Sequence, residues 1–197
     1  MEIQVASNEN FAAYEGFDIV NWKEIDTPSA PKSFRVLRAT TLGEFKNSIA
    51  GAMGVEAEML RPWVMVNRQN QTVRPDQPLM FNDMTIEEAA NKFGTRTATF
   101  RLWMEIAEVK DVEGKPIWAE AQVDLHGVPN NKPIFLFLKY FDIEAQVLRG
   151  IGQFWAAWQD KVADISPQVL KLMDWPAGTV FRCYEVGTLC RFWFARC

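Results

Sequence analysis

The stretch from Thr41 to Gly54, TLGEFKNSIAGAMG, carries the clearest structural signal in this chain of 197 residues. Thr41 and Glu44 have the spacing of a capping box, in which each side chain satisfies a free backbone N–H of the first helical turn. Apolar residues then recur at helical spacing, and Gly54 follows them as a residue that ends helices without strain. These signals predict an amphipathic helix. Its apolar stripe consists of Leu42, Phe45, Ile49 and Met53.

Strand-like segments flank this helix on both sides, two before it and two after it. A second capping box, Thr85 with Glu88, predicts a short helix that ends near Lys92. Residues 8–33 and 68–78 are polar and contain prolines, so we predict loops and turns there. The resulting order predicts an α+β fold with a helix packed across a mixed sheet, as in the ubiquitin-like β-grasp. The strand-like segments are residues 2–7, 34–38, 63–66 and 97–108.

The pattern restarts in the second half of the chain. Residues 133–141 form an apolar run typical of a buried strand, and residues 148–158 are predicted to return beside it. Asp160 could cap a further helix, although Pro167 requires that its first turn begin close before the proline or that the helix be kinked. A strand is predicted at 179–184. A shift of 120 residues superimposes the apolar stripes of the two helices, which indicates an internal repeat. The stripe of the second helix is Val162, Ile165, Val169 and Met173.

We therefore predict tandem ubiquitin-like β-grasp units, of which the second is truncated. Residues 1–108 would form the first domain, 109–132 a linker rich in turn residues, 133–185 a partial second domain, and 186–197 a divergent tail.

The tail offers one structural prediction. Residues 189–195 could turn back at Gly187 and pair antiparallel with residues 179–184. They would then fill the central position beside the first strand of the second unit, where a ubiquitin-like sheet needs its last strand. Without such a strand, the inner edge of this sheet would stay unpaired and prone to aggregation.

Charge and targeting signals exclude several classes of partner. The chain has 21 basic and 25 acidic residues, a net charge of −4, and no basic run, so we expect neither nucleic acid nor a membrane as partner. No segment approaches the roughly 20 apolar residues of a membrane helix, and the start lacks the features of a secretory signal. We therefore expect the protein to be located in the nucleus or the cytoplasm.

Arg68 and Arg74 could bind an acidic partner, but solvated loop charges are the commoner case.

Catalytic and metal-binding chemistry is not indicated. The only histidine, His126, lies in the predicted linker, and Glu87 with Glu88 lies where acidic residues favour a helix dipole. No phosphate-binding glycine motif is present, so we expect no cofactor and no small-molecule ligand. The cysteine spacing is too wide for the usual zinc pair, which favours reduced thiols in an apolar tail. The cysteines are Cys183, Cys190 and Cys197.

Eight tryptophans are notable for this length. Trp63, Trp103 and Trp175 fall in or beside predicted core elements, which favours core packing. Trp155 and Trp158 are three residues apart on a strand, so they point to opposite faces and at least one could be exposed. An exposed tryptophan would suit a hot spot for a protein partner, although the contact residues cannot be named from the sequence.

Several strings of the sequence resemble one family. Residues 60–79, LRPWVMVNRQNQTVRPDQPL, and the pair FRVLR at 34–38 and LGEF at 42–45 are similar to the first ubiquitin-like domain of the herpesvirus-associated ubiquitin-specific protease (HAUSP) family, in its fungal form. FLFLKYFD at 135–142 and KLMDWPAG at 171–178 resemble the family's next ubiquitin-like domain. The resemblance runs from residue 1 to about Glu185.

The resemblance implies a non-catalytic piece of a deubiquitinase, a cysteine protease of the ubiquitin carboxyl-terminal hydrolase class. The family's Cys, His and Asp lie in a separate upstream domain, so no catalytic residue is carried over. Its tandem ubiquitin-like domains recruit protein partners and substrates, including a viral ubiquitin ligase. The recruiting acidic loop would follow Glu185, where this chain departs from the family, so we hypothesise that the tail arises from a shifted reading frame or a retained intron.

Two alternatives remain open. The chain could be a stand-alone ubiquitin-like adaptor without an attached protease. It could also be an enzyme that uses one of its own cysteines, which would require a nucleophile activated by a neighbouring base.

Overall fold

The computed structural model describes residues 1–68, 72–94, 98–185 and 191–196. The chain divides into two compact units: unit 1 comprises Met1–Asn10 and Val20–Ile117, and unit 2 comprises Phe11–Ile19 and Trp118–Cys197. In unit 1 the elements are β1 Glu2–Ala6, β2 Lys32–Arg35, α2 Leu42–Met53, β3 Leu60–Asn67, β4 Val73–Pro78, α3 Ile86–Phe93, β5 Thr99–Ile106, β6 Val109–Lys110 and β7 Pro116–Ile117; helix α1, Asn8–Ala13, spans the division. In unit 2 they are β8 Pro133–Asp142, β9 Val147–Ala157, α4 Val162–Leu172, β10 Phe181–Glu185 and β11 Arg191–Arg196.

Unit 1 is a five-stranded mixed sheet in the order β2-β1-β5-β3-β4. Strand β5 runs parallel to β1 and antiparallel to β3, and α2 packs across one face of the sheet. This is the ubiquitin-like α+β fold predicted from the sequence. The core comprises residues from the helix and from the facing side of the strands, among them Ile3, Val5, Leu42, Phe45, Ile49, Leu60, Val64 and Leu102.

Both capping boxes of unit 1 are confirmed. The Thr41 hydroxyl accepts the Glu44 N–H, and the Glu44 carboxylate accepts the Thr41 N–H at 2.8 Å. Gly54 ends α2 in the left-handed conformation, at φ 68°. Thr85 and Glu88 start α3 in the same way. The short-range pattern was sufficient here because the residues that start and end each helix are its own neighbours.

The prediction of turns across residues 68–78 is wrong for β4, which is a strand. Its prolines suggested a break, but β4 lies at the edge of the sheet and pairs only with β3 among the described strands. Proline is tolerated on edge strands because its missing N–H would face away from the ladder. Pro75 pairs with Met65 and Pro78 pairs with Trp63, with an irregularity between them.

Residues 8–33 are more ordered than the predicted loop. They contain α1, and the segment after Val20 lies against the outer face of the sheet of unit 1. The Gln4 amide donates to the Trp22 carbonyl at 3.1 Å, and the Arg101 guanidinium lies 5.4 Å from the centroid of the Trp22 ring. The Asn10 amide holds the Ala30 carbonyl at 2.8 Å. Tertiary contacts therefore order a segment that carries no periodic pattern.

Unit 2 contains a four-stranded sheet in the order β10-β11-β8-β9. Helix α4 packs on the face that carries Leu136 and Leu138, through Ile165 and Val169. Strands β8 and β9 form a long hairpin, as predicted. Pro167 lies inside α4, six residues after its N-cap.

The N-cap of α4 differs from the prediction. Asp160 does not cap the helix, because its carboxylate accepts the Ala157 N–H at 2.8 Å and so closes the turn that precedes the helix. Lys161 takes the N-cap position instead, and the Asp164 carboxylate accepts its N–H at 2.8 Å. The predicted N-cap is wrong by one residue because the carboxylates of Asp160 and Asp164 both accept backbone N–H groups close by in the chain.

Strand β11 confirms the prediction made for the tail. Its backbone pairs antiparallel with β10, with Phe194 in register with Cys183, and parallel with β8, with Phe192 in register with Leu138. In unit 1, β5 likewise has one parallel neighbour, β1, and one antiparallel neighbour, β3. The predicted turn at Gly187 lies outside the described residues.

One segment of unit 2 comes from the N-terminal part of the chain. Residues Phe11–Ile19, which we call the strap, belong to unit 2, although their neighbours on both sides belong to unit 1. The predicted boundaries at 108, 132 and 185 remain predictions. The predicted linker 109–132 contains the β6–β7 hairpin and a 3-10 turn at Ala119–Gln122.

Candidate docking surface

The end of β9 exposes a large aromatic side chain. Trp158 is 50% exposed, whereas Trp155 is buried and its ring stacks on Phe135 with centroids 4.8 Å apart. This confirms that at least one of the two is exposed. Trp63 and Trp103 are buried, as expected of core residues, and Trp175 is half-buried beside Tyr140.

Trp158 is held in place by the preceding segment of unit 2. The backbone N–H of Trp158 donates to the Lys132 carbonyl at 2.8 Å, and the Lys132 ammonium lies 5.2 Å from the centroid of the indole ring. The Gln159 N–H donates to the Asn131 side chain at 3.2 Å, and the Asn131 amide donates to the Leu125 carbonyl at 3.1 Å. These hydrogen bonds anchor the backbone that carries the ring, which lowers the entropic cost of ordering this segment in binding.

His126 lies beside this tryptophan segment. It adopts a left-handed conformation, at φ 54°, and its ring nitrogens lie 3.3 Å from an Asp124 oxygen and 3.2 Å from an Asp160 oxygen. Asp160 is mostly buried, so the imidazole is oriented by a fixed carboxylate. We call His126, Lys132, Trp158 and Asp160 together the Trp158 surface. Its exposed residue Trp158 belongs to a residue type that is enriched at the hot spots of protein interfaces.

The cysteine that the structure describes is not an activated nucleophile. Cys183 is half-buried on β10 and packs near Leu138 and Val169. Burial raises the pKa of its thiol to about 11, which disfavours the reactive thiolate at neutral pH. Cys190 and Cys197 lie outside the described residues. In the part of the chain that the structure describes, no group of three or more His, Cys, Asp or Glu residues could hold a metal ion.

The charged residues singled out in unit 1 have structural contacts. Glu88 is the third residue of α3, where its carboxylate accepts the N–H of the N-cap residue Thr85, and Glu87 pairs with Arg38 at 2.7 Å on the surface. Arg68 lies 3.4 Å from Asp76, also exposed. Arg74 corrects the expectation of a solvated loop charge, because it is buried on β4 and donates to the Val73 carbonyl.

Sequence reasoning missed the partners of the exposed tryptophan. Lys132 precedes Trp158 by 26 residues, and no local spacing signals a contact of that range. It also missed the burial of Lys139, which stands in the middle of an apolar strand and is only 4% exposed. The sequence feature that could have indicated this burial is the position of the lysine within an otherwise apolar strand.

No helix among residues 1–68, 72–94, 98–185 and 191–196 is long and apolar enough to cross a membrane.

The strand order of unit 1 and the helix that crosses it define the class of protein: a ubiquitin-like α+β module. A family model described as the ICP0-binding domain of ubiquitin-specific protease 7 matches residues 60–188. The chain belongs to this family, and the resemblance to the ubiquitin-like region of the HAUSP family is thereby confirmed.

The full-length relatives are ubiquitin hydrolases by name. The chain is 31% identical over 195 residues to ubiquitin C-terminal hydrolase 13 of Arabidopsis thaliana and 25% identical over 184 residues to ubiquitin carboxyl-terminal hydrolase 5 of Schizosaccharomyces pombe. In both cases 93% of this chain is aligned, but it spans only 16% of the length of the relative.

Proposed function

We propose that the chain is a non-catalytic docking and regulatory part of a ubiquitin-specific protease, recruiting the protein partners or substrates of a deubiquitinase. The family match over residues 60–188 carries this proposal. The relatives are deubiquitinases by name, and this chain corresponds to a small share of their length. We also propose the nucleus or the cytoplasm as its location.

The Trp158 surface is our first candidate for the contact with a partner. Tryptophan is among the residues that contribute most to binding energy at protein interfaces, provided that the partner buries it. The indole is half exposed and already contacts the Lys132 ammonium, which reduces the side-chain entropy that binding would cost.

The test compares two variants of the whole chain. Trp158→Ala removes the candidate contact, whereas Ile143→Ala is a control, because Ile143 is 52% exposed and lies in the turn of the β8–β9 hairpin. The native chain and the two variants are immobilised, and the partner proteins that each one retains are compared by quantitative mass spectrometry. The affinity of each partner identified in this way is then measured by calorimetry. We expect Trp158→Ala to weaken binding at least about tenfold, as hot-spot residues do, and Ile143→Ala to leave it unchanged.

Two results would contradict the proposal. Equal affinity of all three proteins would exclude the Trp158 surface as the contact. Hydrolysis of a ubiquitin–fluorophore conjugate by the isolated chain, abolished by thiol alkylation, would favour the alternative of a cysteine enzyme. We expect no hydrolysis.

The second candidate function is a stand-alone ubiquitin-like adaptor without a protease. The same docking surface would serve it, so binding experiments do not separate the two. The size of the native gene product separates the two candidate functions.

A further inference from the structure

The strap is seated on the outer face of the sheet of unit 2. The Gly16 N–H donates to the Leu148 carbonyl at 2.8 Å, and Glu15 forms an antiparallel bridge with Arg149. The Phe11 ring meets the Phe137 ring edge to face, with centroids 5.4 Å apart. The strap therefore combines main-chain pairing at the edge of β9 with aromatic packing over β8.

Lys139 lies underneath this strap. Its ammonium donates to the Gly16 carbonyl at 2.6 Å and lies 5.0 and 4.9 Å from the ring centroids of Phe11 and Tyr14. Leu138, its neighbour on β8, points to the opposite face and packs near α4, as the alternation of a strand requires. The side chains that cover the Lys139 ammonium thus belong to the strap and not to the helix.

Among the side chains that the structure describes, few charged groups face this lysine. On the strap, Asp18 attracts the ammonium, and Glu15 is exposed. On the hairpin, the Arg149 guanidinium donates to the Asp142 carboxylate, so these two charges compensate each other. Burial lowers the pKa of Lys139 to about 7, and the attraction of Asp18 opposes that shift only in part.

We propose that the strap is a detachable latch, and that its docking on unit 2 is coupled to the loss of one proton from Lys139. When the strap leaves, the ammonium loses the two rings and the carbonyl that exclude water from it. The free lysine then regains solvation and holds its proton more tightly. The neutral amine still donates to the Gly16 carbonyl, so the docked strap retains that hydrogen bond.

The sign of the pH dependence follows from this coupling. The docked state has the lowered pKa, so below about pH 7 both states carry the proton and docking does not vary with pH. Between pH 7 and the ordinary lysine range the undocked state binds more protons. Docking therefore strengthens as pH rises, by up to about tenfold per pH unit for one proton.

The first experiment measures the protection of the Gly16 N–H against hydrogen exchange in the whole chain between pH 6 and 9, corrected for the intrinsic rate. In the native protein we expect protection to be flat near pH 6 and to rise by up to about tenfold per pH unit above pH 7. Lys139→Met should abolish the rise. Lys171→Met, which removes an exposed lysine of the same unit, should leave it intact.

The second experiment follows Lys139 directly by NMR of ¹³C-labelled lysine side chains. We expect a titration midpoint near 7, and Asp18→Asn should move it to lower pH while keeping an oxygen to accept the Ile19 N–H. Asp18→Asn also serves as the test if Lys139→Met fails to fold. A midpoint near 10, protection of Gly16 that is independent of pH, or an equal rise in Lys139→Met would each overturn the proposal.

Discussion

The glycine at position 150 allows the strap to pack closely against β9. A Cβ atom at this residue of β9 would fall on the carbonyl oxygen of Phe11, whereas a Cβ at Gly152 would meet only the flexible end of Leu172, at 3.2 Å. The absence of a side chain at Gly150 therefore allows the backbone of the strap to approach the strand.

We predict that Gly150→Ala displaces the strap and that Gly152→Ala does not. The overpacked variant should lose about 1–3 kcal/mol of stability, and protection of the Gly16 N–H should fall with it. Urea unfolding and hydrogen exchange measure the two effects. Equal behaviour of the two variants would show that the close approach at Gly150 does not matter.

A buried ion pair in unit 1 provides a second residue-scale prediction. The Arg61 guanidinium and the Trp63 indole N–H both donate to the Glu105 carboxylate, at 2.8 and 2.7 Å, and the pair is almost fully buried. Removing one partner of such a pair costs about 3–5 kcal/mol, because the other charge stays buried.

We therefore expect Glu105→Leu to destabilise unit 1 by about 3 kcal/mol. Glu87→Gln, which breaks the exposed pair with Arg38, should change stability by less than about 1 kcal/mol. Denaturant unfolding followed by tryptophan fluorescence compares them. A small effect for Glu105→Leu would mean that water or neighbouring groups reach Arg61.

At the scale of elements, α2 and α3 were predictable because their caps are local. The Thr41 N–H and hydroxyl both donate to the Glu44 carboxylate, and these hydrogen bonds lower its pKa. Thr85 acts on Glu88 in the same way. A carboxylate with a lowered folded pKa stabilises the fold above its unfolded value near 4.5 and loses that contribution as pH falls.

We expect Thr41→Ala to cost about 1 kcal/mol at pH 7, as the loss of a helix cap does. The cost should shrink at pH 3, where protonation has already weakened the acceptor. Thr40→Ala, which changes the preceding residue, should have no comparable effect. Thermal unfolding at both pH values tests this, and a cost independent of pH would contradict the role given to Glu44.

The strands were less predictable from the sequence. Strand β4 was missed because its prolines resemble turn signals unless the edge position is known. Strand β11 was predicted correctly because the vacant central position in the sheet of unit 2 demanded a partner.

Removing β11 should expose the strands on both sides of it. We expect a chain that ends after Glu185 to form higher-order species in light scattering, because β8 and β10 would lose their shared neighbour. A chain that ends after Arg196 serves as the control. Unchanged mass of the shorter chain would show that β11 is dispensable.

For the whole molecule, the sequence predicted the ubiquitin-like fold of unit 1 and an exposed tryptophan in unit 2. It did not predict that Phe11–Ile19 joins unit 2, because this depends on contacts over more than 100 residues. The burial of Lys139 under the strap depends on the same long-range contacts, whereas the burial of Arg74 was missed because β4 was not predicted as a strand. Local signals predict elements, whereas long-range packing decides which polar residues become buried.

The size of the native gene product tests the central claim most directly. An antibody against residues 1–180 would be used on an immunoblot of the source cells. We expect a band several times larger than 22.6 kDa, the mass of this chain, because the chain would be one part of a full deubiquitinase. A single band near 22.6 kDa would contradict that claim and establish a free-standing adaptor.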